Sequence, residues 1–216
     1  MTSLKIKKSR SARLPRAARE RQLIDAAIDC ISTLGMRDTT VPDVAARARM
    51  AVGSINQYFA SKELLLTAAL RALSEQFEAA WREALDAAGP DPASRLRAFV
   101  ECYFEPAICQ RKKVAVWFAF WGEAKARPRY REVCAAYDRR HDAMLEAMCQ
   151  ALILEGGYEI EPRRAAKIIA SECHGLWLEL LTGIDGLDRK DLAALARSCL
   201  AALFPRHAPA LSGASP

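Results

Sequence analysis

Residues 40–62, TVPDVAARARMAVGSINQYFASK, decide the fold of this chain. The stretch predicts two short helices separated by a tight turn and followed by the start of a longer helix. Thr40 can cap the first short helix, because Asp43 lies three residues later and completes a capping box. The second short helix is polar over residues 53–57 and ends in the aromatic pair Tyr58-Phe59. Such a helix can place its polar face in a DNA groove and anchor its end in a small core, so the stretch predicts a helix-turn-helix.

The remaining sequence predicts an all-α protein with two domains. Hydrophobic residues make up 51% of the 216-residue chain, which has only ten glycines and ten prolines, and Ala, Leu, Glu and Arg dominate. Further helices are expected at about 15–34, 62–88, 92–110, 113–126, 128–155, 162–183 and 189–204. We therefore expect an N-terminal three-helix DNA-binding domain that a long helix joins to a C-terminal helical ligand-binding and dimerisation bundle. The predicted divisions are a disordered basic arm (1–14), the DNA-binding domain (15–77), the bundle (78–205) and a disordered tail (206–216).

The positive charge is concentrated next to the helix-turn-helix. The formal net charge is +6, and residues 1–22 hold eight Lys or Arg against one acid. A solvated, disordered tail is one explanation for such a segment. Its position beside a DNA-reading motif favours binding to nucleic acid.

Other classes of protein find little support. The seven cysteines include no C-x-x-C pair, which indicates reduced thiols in the cytoplasm. No signal peptide and no membrane-spanning segment is predicted. We expect no metal and no cofactor. An enzyme that uses Cys173 with His174, or Cys109, is the rival interpretation, but no nucleophile–base–acid spacing or phosphate-binding loop accompanies these residues.

Residues 19–69 resemble the TetR family of bacterial transcriptional regulators. The matching residues are Leu23-Ile24-x-Ala26-Ala27, Gly35, Thr39-Thr40-Val41, Val44-Ala45, Gly53-Ser54-Ile55, Tyr58-Phe59 and Lys62-Glu63-x-Leu65. The resemblance implies a two-fold homodimer that inserts the third helix of each subunit into successive major grooves of double-stranded operator DNA. Arg49 and Ala51 depart from the family pattern, which has Gly and then Ser or Thr at these positions.

The candidate DNA-binding residues surround the second short helix. They are Thr40, Arg49, Val52, Gly53, Ser54, Asn56, Gln57, Tyr58 and Lys62. Asn56 and Gln57 suit bidentate contact with adenine, whereas hydroxyl groups and Lys62 suit phosphate oxygens. Arg49 is either a further phosphate contact or a solvated side chain.

An aromatic cluster in the C-terminal half marks the candidate effector site. Its core is Trp117-Phe118-Ala119-Phe120-Trp121, and carboxylates occur nearby in the sequence. Aromatic faces beside a carboxylate suit a quaternary ammonium ion, whereas the alternative is an aromatic core without a ligand. The candidate ligand-binding residues are Tyr103, Trp117, Phe120, Trp121, Glu123, His174 and Trp177.

The C-terminal half also resembles the BetI-type regulators of glycine betaine synthesis from choline. The matching residues are Trp117-x-Ala119-Phe120-Trp121, Pro128-x-Tyr130-Arg131, Arg139-Arg140 and Gly175-Leu176-Trp177-Leu178. The resemblance implies a repressor that choline, or a similar cation, releases from its operator. A repressor of efflux or catabolic genes with a different effector is the alternative. His174 replaces an Asp of the pattern and is either a ligand contact or a core residue.

The last two predicted helices carry the candidate dimer interface. It comprises Ile169, Cys173, Leu176, Leu180, Leu195 and Cys199. Packing within one chain is the alternative for each of these apolar faces.

Overall fold

The computed structural model describes residues 15–124, 126–183 and 186–213. Over these ranges the chain forms helices joined by turns, without a β-strand, which confirms the predicted all-α class. The α-helices are α1 (Arg16–Leu34), α2 (Val41–Arg47), α3 (Val52–Ile55), α4 (Lys62–Ala87), α5 (Pro92–Glu101), α6 (Arg111–Ala124), α7 (Pro128–Gly156), α8 (Pro162–Thr182), α9 (Arg189–Leu203) and α10 (Ala208–Ser212). Short 3₁₀ helices cover Cys102–Phe104 and Pro205–His207. The predicted disordered arm, 1–14, lies outside the described residues.

Local signals set the helix ends around the helix-turn-helix. At the start of α2, the backbone N–H of Thr40 donates to Asp43 Oδ2 at 2.9 Å, and that of Asp43 donates to Thr40 Oγ1 at 3.3 Å. The capping box is therefore present, and hydrogen bonds to the Asp43 carboxylate from the hydroxyl and from the backbone N–H of Thr40 lower the pKa of Asp43. Ser61 caps α4 by accepting from the backbone N–H of Leu64 at 3.2 Å.

The helix predicted over 92–110 is shorter than expected. α5 ends at Glu101, and a 3₁₀ turn continues the chain to Phe104. Glu105 is extended, with ψ 143°, because Pro106 disfavours the helical conformation of the residue before it. This break turns Tyr103 and Phe104 into the core of the bundle, where both are buried.

The long helix α4 belongs to both halves of the molecule. Its first half buries Leu65, Leu66 and Leu70, and the helix packs against α1. In its second half, the ring of Phe77 lies 4.8 Å from that of Tyr103, and α4 also packs against α5 and α7. The domain division predicted between residues 77 and 78 thus falls inside one continuous helix, which can transmit movement between the halves.

Residues 206–213 are ordered, so the predicted disordered tail is wrong over this range, and residues 214–216 lie outside the described residues. Leu211 of α10 is fully buried, and α10 packs against α5 and α9. Arg97 Nη1 also donates to the carbonyl of Ala210 at 2.9 Å. The segment is short and rich in Pro and Ala, but it is held by this one apolar anchor and these contacts. No helix in the described ranges is long and apolar enough to span a lipid bilayer.

Candidate DNA-binding surface and ligand cavity

The helix-turn-helix is built on a small apolar core. Val44, Ala45 and Ile55 are buried, and α2 packs against both α1 and α3. α3 ends at Ile55, earlier than the predicted Tyr58, and the chain continues in tighter turns in which the N–H of Tyr58 donates to the carbonyl of Ile55 at 2.8 Å. The polar side of α3 therefore remains free while its apolar side is fixed.

The turn between α2 and α3 includes a residue in the left-handed conformation. Arg49 has a left-handed φ of 53°, and among the described residues other than glycine it alone has a positive φ. A side chain is strained in this region, whereas glycine is not. Ala51, at the N-cap of α3, makes no side-chain capping bond. The strain at Arg49 and the missing side-chain cap at Ala51 thus both disfavour this turn locally.

The candidate DNA-binding residues lie on one accessible surface. Thr40, Arg49, Val52, Gly53, Asn56 and Gln57 are exposed, and Ser54, Tyr58 and Lys62 are partly exposed. Two of them already have partners within the chain: the hydroxyl of Thr40 donates to Asp43 Oδ2 at 2.5 Å, and Lys62 Nζ donates to the carbonyl of Arg37 at 3.4 Å. The guanidinium of Arg16 lies 5.4 Å from the centre of the Tyr58 ring, so it adds positive charge to this surface.

The C-terminal bundle contains a partly open cavity of about 250 Å³, which we call the aromatic cavity. Helices α4, α6, α7 and α8 and the 3₁₀ turn at Cys102–Phe104 contribute to it. Its lining consists of Phe77, Tyr103, Trp117, Trp121, Tyr137, Asp138, His141, Asp142, Lys167, Ala170, Ser171, His174 and Trp177. The structure thus brings together five predicted ligand residues: Tyr103, Trp117, Trp121, His174 and Trp177.

Aromatic rings form most of the cavity wall. The ring centres of Trp117 and Trp121 are 5.7 Å apart, as expected for residues one helical turn apart. Trp121 and Trp177 stack at 6.4 Å with an interplanar angle of 19°. Trp177 is fixed in place because its indole N–H donates to the carbonyl of Tyr103 at 2.9 Å. The cavity therefore has preformed π faces.

A polar chain lines one side of the aromatic cavity. Lys167 Nζ donates to Asp142 Oδ2 at 2.5 Å, and His141 Nδ1 lies 3.5 Å from Asp142 Oδ1. Since Nδ1 of His141 faces a carboxylate, we place its proton there, which leaves Nε2 to accept from the hydroxyl of Tyr103. Hydrogen bonds from His141 and Lys167 lower the pKa of Asp142 to about 2, although burial opposes the shift.

Asp138 and His174 respond differently to desolvation. Asp138 is an exposed residue at the cavity and has no ion-pair partner within 4.0 Å among the described residues, while partial desolvation together with the neighbouring Asp142 raises its pKa. Burial lowers the pKa of His174 to about 4, and the proximity of His141 adds to this effect. The imidazole of His174 is therefore neutral at pH 7, and its ring lies 4.8 Å from that of Trp121.

Two predicted ligand residues lie outside the cavity. Phe120 is fully buried, but its ring packs edge-on against Tyr130 at 5.2 Å, because it points away from the face that carries Trp117 and Trp121. Glu123 lies at the end of α6 and binds Arg37 at 3.0 Å and Arg127 at 3.2 Å. Proximity in sequence to the aromatic cluster did not bring either side chain into the cavity.

Ion pairs link α6 to the DNA-binding half. At one end of α6, Lys112 Nζ donates to Asp29 Oδ1 of α1 at 2.9 Å. At the other end, Glu123 binds Arg37 of the α1–α2 loop, and Arg37 in turn accepts from Lys62 through its carbonyl. The helix that carries Trp117 and Trp121 thus touches the DNA-binding half at both ends.

Comparisons with known proteins agree with this architecture. Residues 23–69 match the family described as bacterial regulatory proteins, tetR family, and residues 92–205 match the family described as BetI-type transcriptional repressor, C-terminal. The chain is 32% identical over 193 residues to the HTH-type transcriptional regulator BetI of Paraburkholderia phymatum, which covers 89% of this chain and 96% of the relative. The chain belongs to the BetI-type repressors of the TetR family.

Another BetI relative and two solved structures extend the likeness. The BetI of Burkholderia cenocepacia is 33% identical over 164 residues, 76% of this chain and 82% of the relative. A transcriptional regulator from Pseudomonas aeruginosa superposes with a TM-score of 0.80 at 24% identity, covering 94% of this chain and 98% of that one. A regulator from Saccharomonospora viridis, solved in complex with choline, has a TM-score of 0.75 at 20% identity, covering 84% of this chain and 95% of that one. At these identities the solved structures show the fold alone.

The structure of this BetI-type repressor adds cavity residues that sequence reasoning missed. Tyr137, Asp138, His141 and Asp142 all lie on α7, and Tyr137–His141 and Asp138–Asp142 are each four residues apart. This i,i+4 spacing puts each pair on one helix face, which is a signal that the sequence contained. α7 also carries many other charged residues, so this spacing in the sequence did not distinguish a cavity wall from a solvent-exposed helix face.

Most of the predicted dimer residues of this repressor face its own core. Ile169, Cys173, Leu176 and Leu180 are buried within the single chain, so their assignment to the interface is corrected. Leu195 is 44% exposed and Cys199 is partly exposed, which leaves them available to a partner. The exposed apolar side of α8 carries two other residues, Ile168 and Leu178.

Proposed function

We propose that this BetI-type repressor is a homodimer that binds operator DNA and is released by choline or a closely related quaternary ammonium ion. The observation that carries the proposal is the aromatic cavity with Asp138, a carboxylate that has no ion-pair partner among the described residues. The names of the BetI relatives and the choline complex of the Saccharomonospora viridis regulator support the same effector.

The electrostatics of the cavity favour a cation. Asp142 is neutralised by Lys167, whereas partial desolvation and Asp142 both disfavour the charged form of Asp138. A bound cation offsets both effects by pairing with the Asp138 carboxylate, and it also gains attraction from the surrounding indole faces. An anionic effector would be repelled by the Asp138 carboxylate.

The volume of the cavity favours a small effector. Sites for drug-sized ligands usually enclose roughly 300–1,000 Å³, and the aromatic cavity encloses about 250 Å³. A trimethylammonium group with a short substituent is a ligand of suitable size. If the effector binds in this cavity, its volume disfavours the alternative in which the effector is a large efflux substrate.

The DNA-reading surface consists of α3 and the elements around it. Asn56 and Gln57 are exposed and can read base edges in the major groove, while Gly53 allows close approach to the phosphates. In a two-fold dimer the two α3 helices must lie about 34 Å apart, one turn of DNA. Ile168, Leu178 and Leu195 are exposed apolar side chains on α8 and α9, and we assign the dimer contact to this face.

Helix α6 couples the two sites. Effector binding between Trp121 and α7 repositions α6, and its terminal ion pairs from Lys112 and Glu123 transfer the shift to α1 and the α1–α2 loop. The separation of the two α3 helices then no longer fits successive major grooves. An effector that prefers the released state 100-fold supplies about 2.7 kcal/mol of coupling.

The test combines effector binding with DNA binding. An operator is selected from random DNA with the purified protein, and its affinity is measured by fluorescence anisotropy without and with saturating choline. Choline binding is measured by quenching of tryptophan fluorescence, beside the uncharged tert-butyl analogue of choline and the Asp138→Asn variant. We expect choline to bind the wild type more tightly than its uncharged analogue does, and to weaken operator binding. An effector of another class would be required if choline neither bound nor changed the affinity for DNA.

A further inference from the structure

One hydroxyl group in the aromatic cavity has no hydrogen-bond partner. The side chain of Tyr137 is only 6% exposed, and its hydroxyl makes no hydrogen bond to any of the described residues. In the described ranges, the indole N–H of Trp81 is the other buried polar side-chain group without a hydrogen bond, but Trp81 does not line the aromatic cavity. A buried hydroxyl without a partner is costly, which points to a group that binds there.

Two polar side chains near Tyr137 already have other partners. The second phenol of the cavity, Tyr103, hydrogen-bonds to His141. Tyr137 also borders a surface groove between α4 and α7, but Arg140 of that groove is held by two hydrogen bonds to Glu78 Oε2, at 3.0 and 2.7 Å. A ligand in the cavity can supply the partner that the Tyr137 hydroxyl lacks.

Packing fixes the position of the Tyr137 ring. Its centre lies 5.7 Å from the ring of Trp117 and 6.0 Å from that of Phe77. These two rings belong to the aromatic wall, so the hydroxyl is carried on a residue that borders the same space. Asp138, the carboxylate without a partner, follows Tyr137 directly in the chain.

We infer that the hydroxyl of Tyr137 hydrogen-bonds to the polar end of the effector, so that the site selects a hydroxyalkyl trimethylammonium ion over a simple alkyl one. The inference rests on the proposed function and adds the residue that recognises the hydroxyl end of the ligand. The aromatic faces and Asp138 bind the ammonium group, and they do not distinguish a hydroxyl from a methyl group. Tyr137 supplies that distinction, because an alkyl ligand leaves its hydroxyl unpaired.

The test compares choline with n-propyltrimethylammonium, in which a methyl group replaces the hydroxyl. Dissociation constants for both cations are measured by calorimetry on the wild type, on Tyr137→Phe and on the matched control Tyr130→Phe. Tyr130 is a buried tyrosine on the same helix that packs against Phe120 outside the cavity. Phenylalanine keeps the ring and its packing in both variants, and thermal unfolding verifies that each variant folds.

We expect the wild type to prefer choline by about 10-fold, the effect of one buried hydrogen bond of about 1.4 kcal/mol. Tyr137→Phe should remove this preference by weakening choline alone, and Tyr130→Phe should retain it. Equal affinities of the wild type for both cations, or an equal loss for both in Tyr137→Phe, would overturn the inference while leaving the proposed effector class intact. Failure of the wild type to bind either cation would refute the proposed function itself, and the inference with it.

Discussion

Trp121 offers the sharpest test of cation recognition. The centre of its ring lies 5.7, 4.8 and 6.4 Å from the ring centres of Trp117, His174 and Trp177, yet the side chain is partly exposed. Trp121→Leu therefore removes a π face from the cavity with less damage to the core than replacement of the fully buried Trp177. A cation–π contact contributes about 0.5–2 kcal/mol per ring, which corresponds to roughly 2- to 30-fold in affinity.

The substitution also removes apolar contact area, so one dissociation constant cannot isolate the cation–π effect. We therefore predict the ratio of two affinities, for choline and for its uncharged tert-butyl analogue, which has the same shape. In Trp121→Leu this ratio should fall roughly 2- to 30-fold. The control variant is Phe118→Leu, because Phe118 packs edge-on against Trp121 at 5.2 Å but does not line the cavity.

The assay is calorimetry with both ligands, on protein shown by thermal unfolding to be folded. An unchanged ratio with a lower absolute affinity would mean that Trp121 contributes shape only, and the reasoning from ring electrostatics would be wrong. Unchanged affinity for both ligands would place the effector elsewhere in the molecule. A loss of equal size in Phe118→Leu would show that the effect comes from disturbed packing of α6.

Four further predictions address coupling, stability and pH. Glu123→Gln, which breaks the ion pair to Arg37, should keep choline affinity but reduce the choline-dependent loss of operator binding in anisotropy titrations; an unaltered response would exclude this route. Leu211→Ala should lower the free energy of unfolding in urea by about 2–5 kcal/mol, and a negligible change would contradict the ordered C-terminal helix. Arg49→Gly should raise the free energy of unfolding by on the order of 1 kcal/mol, because glycine adopts the left-handed conformation without strain. A loss of stability would show that the arginine side chain is needed there. The folded-state pKa of His174, about 4, lies below its ordinary value of 6.5, so the unfolded chain takes up the proton at a higher pH than the folded protein does. The free energy of unfolding should therefore fall as the pH drops from about 6.5 to 4. His174→Gln should show a shallower fall over that range, and identical pH profiles of stability would refute the assignment.

The helix-turn-helix could be predicted because its determinants are local. The capping box of Thr40 and Asp43 and the cap at Ser61 act within three residues, and the structure contains both. The end of α5 was missed, although Pro106 was a local signal for it. The left-handed conformation of Arg49 was visible in the sequence only as a departure from the glycine of the family.

The aromatic cavity was predicted in part, because periodicity shows which residues share a helix face but not which helix they meet. Trp117 and Trp121 share a face, and that face does line the cavity. Phe120 and Glu123 are close to them in sequence but point elsewhere. The same limitation affected the dimer assignment, since the apolar face of α8 that carries Leu176 packs into its own chain.

The sequence by itself determined the all-α class, the reading helix and its family, because short-range caps, breaks and apolar spacing specify helices without reference to distant residues. Only the tertiary structure decided that Tyr137, Asp138, His141 and Asp142 of the charged helix α7 face the tryptophans of α6. It also placed Glu123 against Arg37 and buried Leu211. Each of these contacts joins residues far apart in the chain, and their pairing depends on how whole helices pack around a shared core.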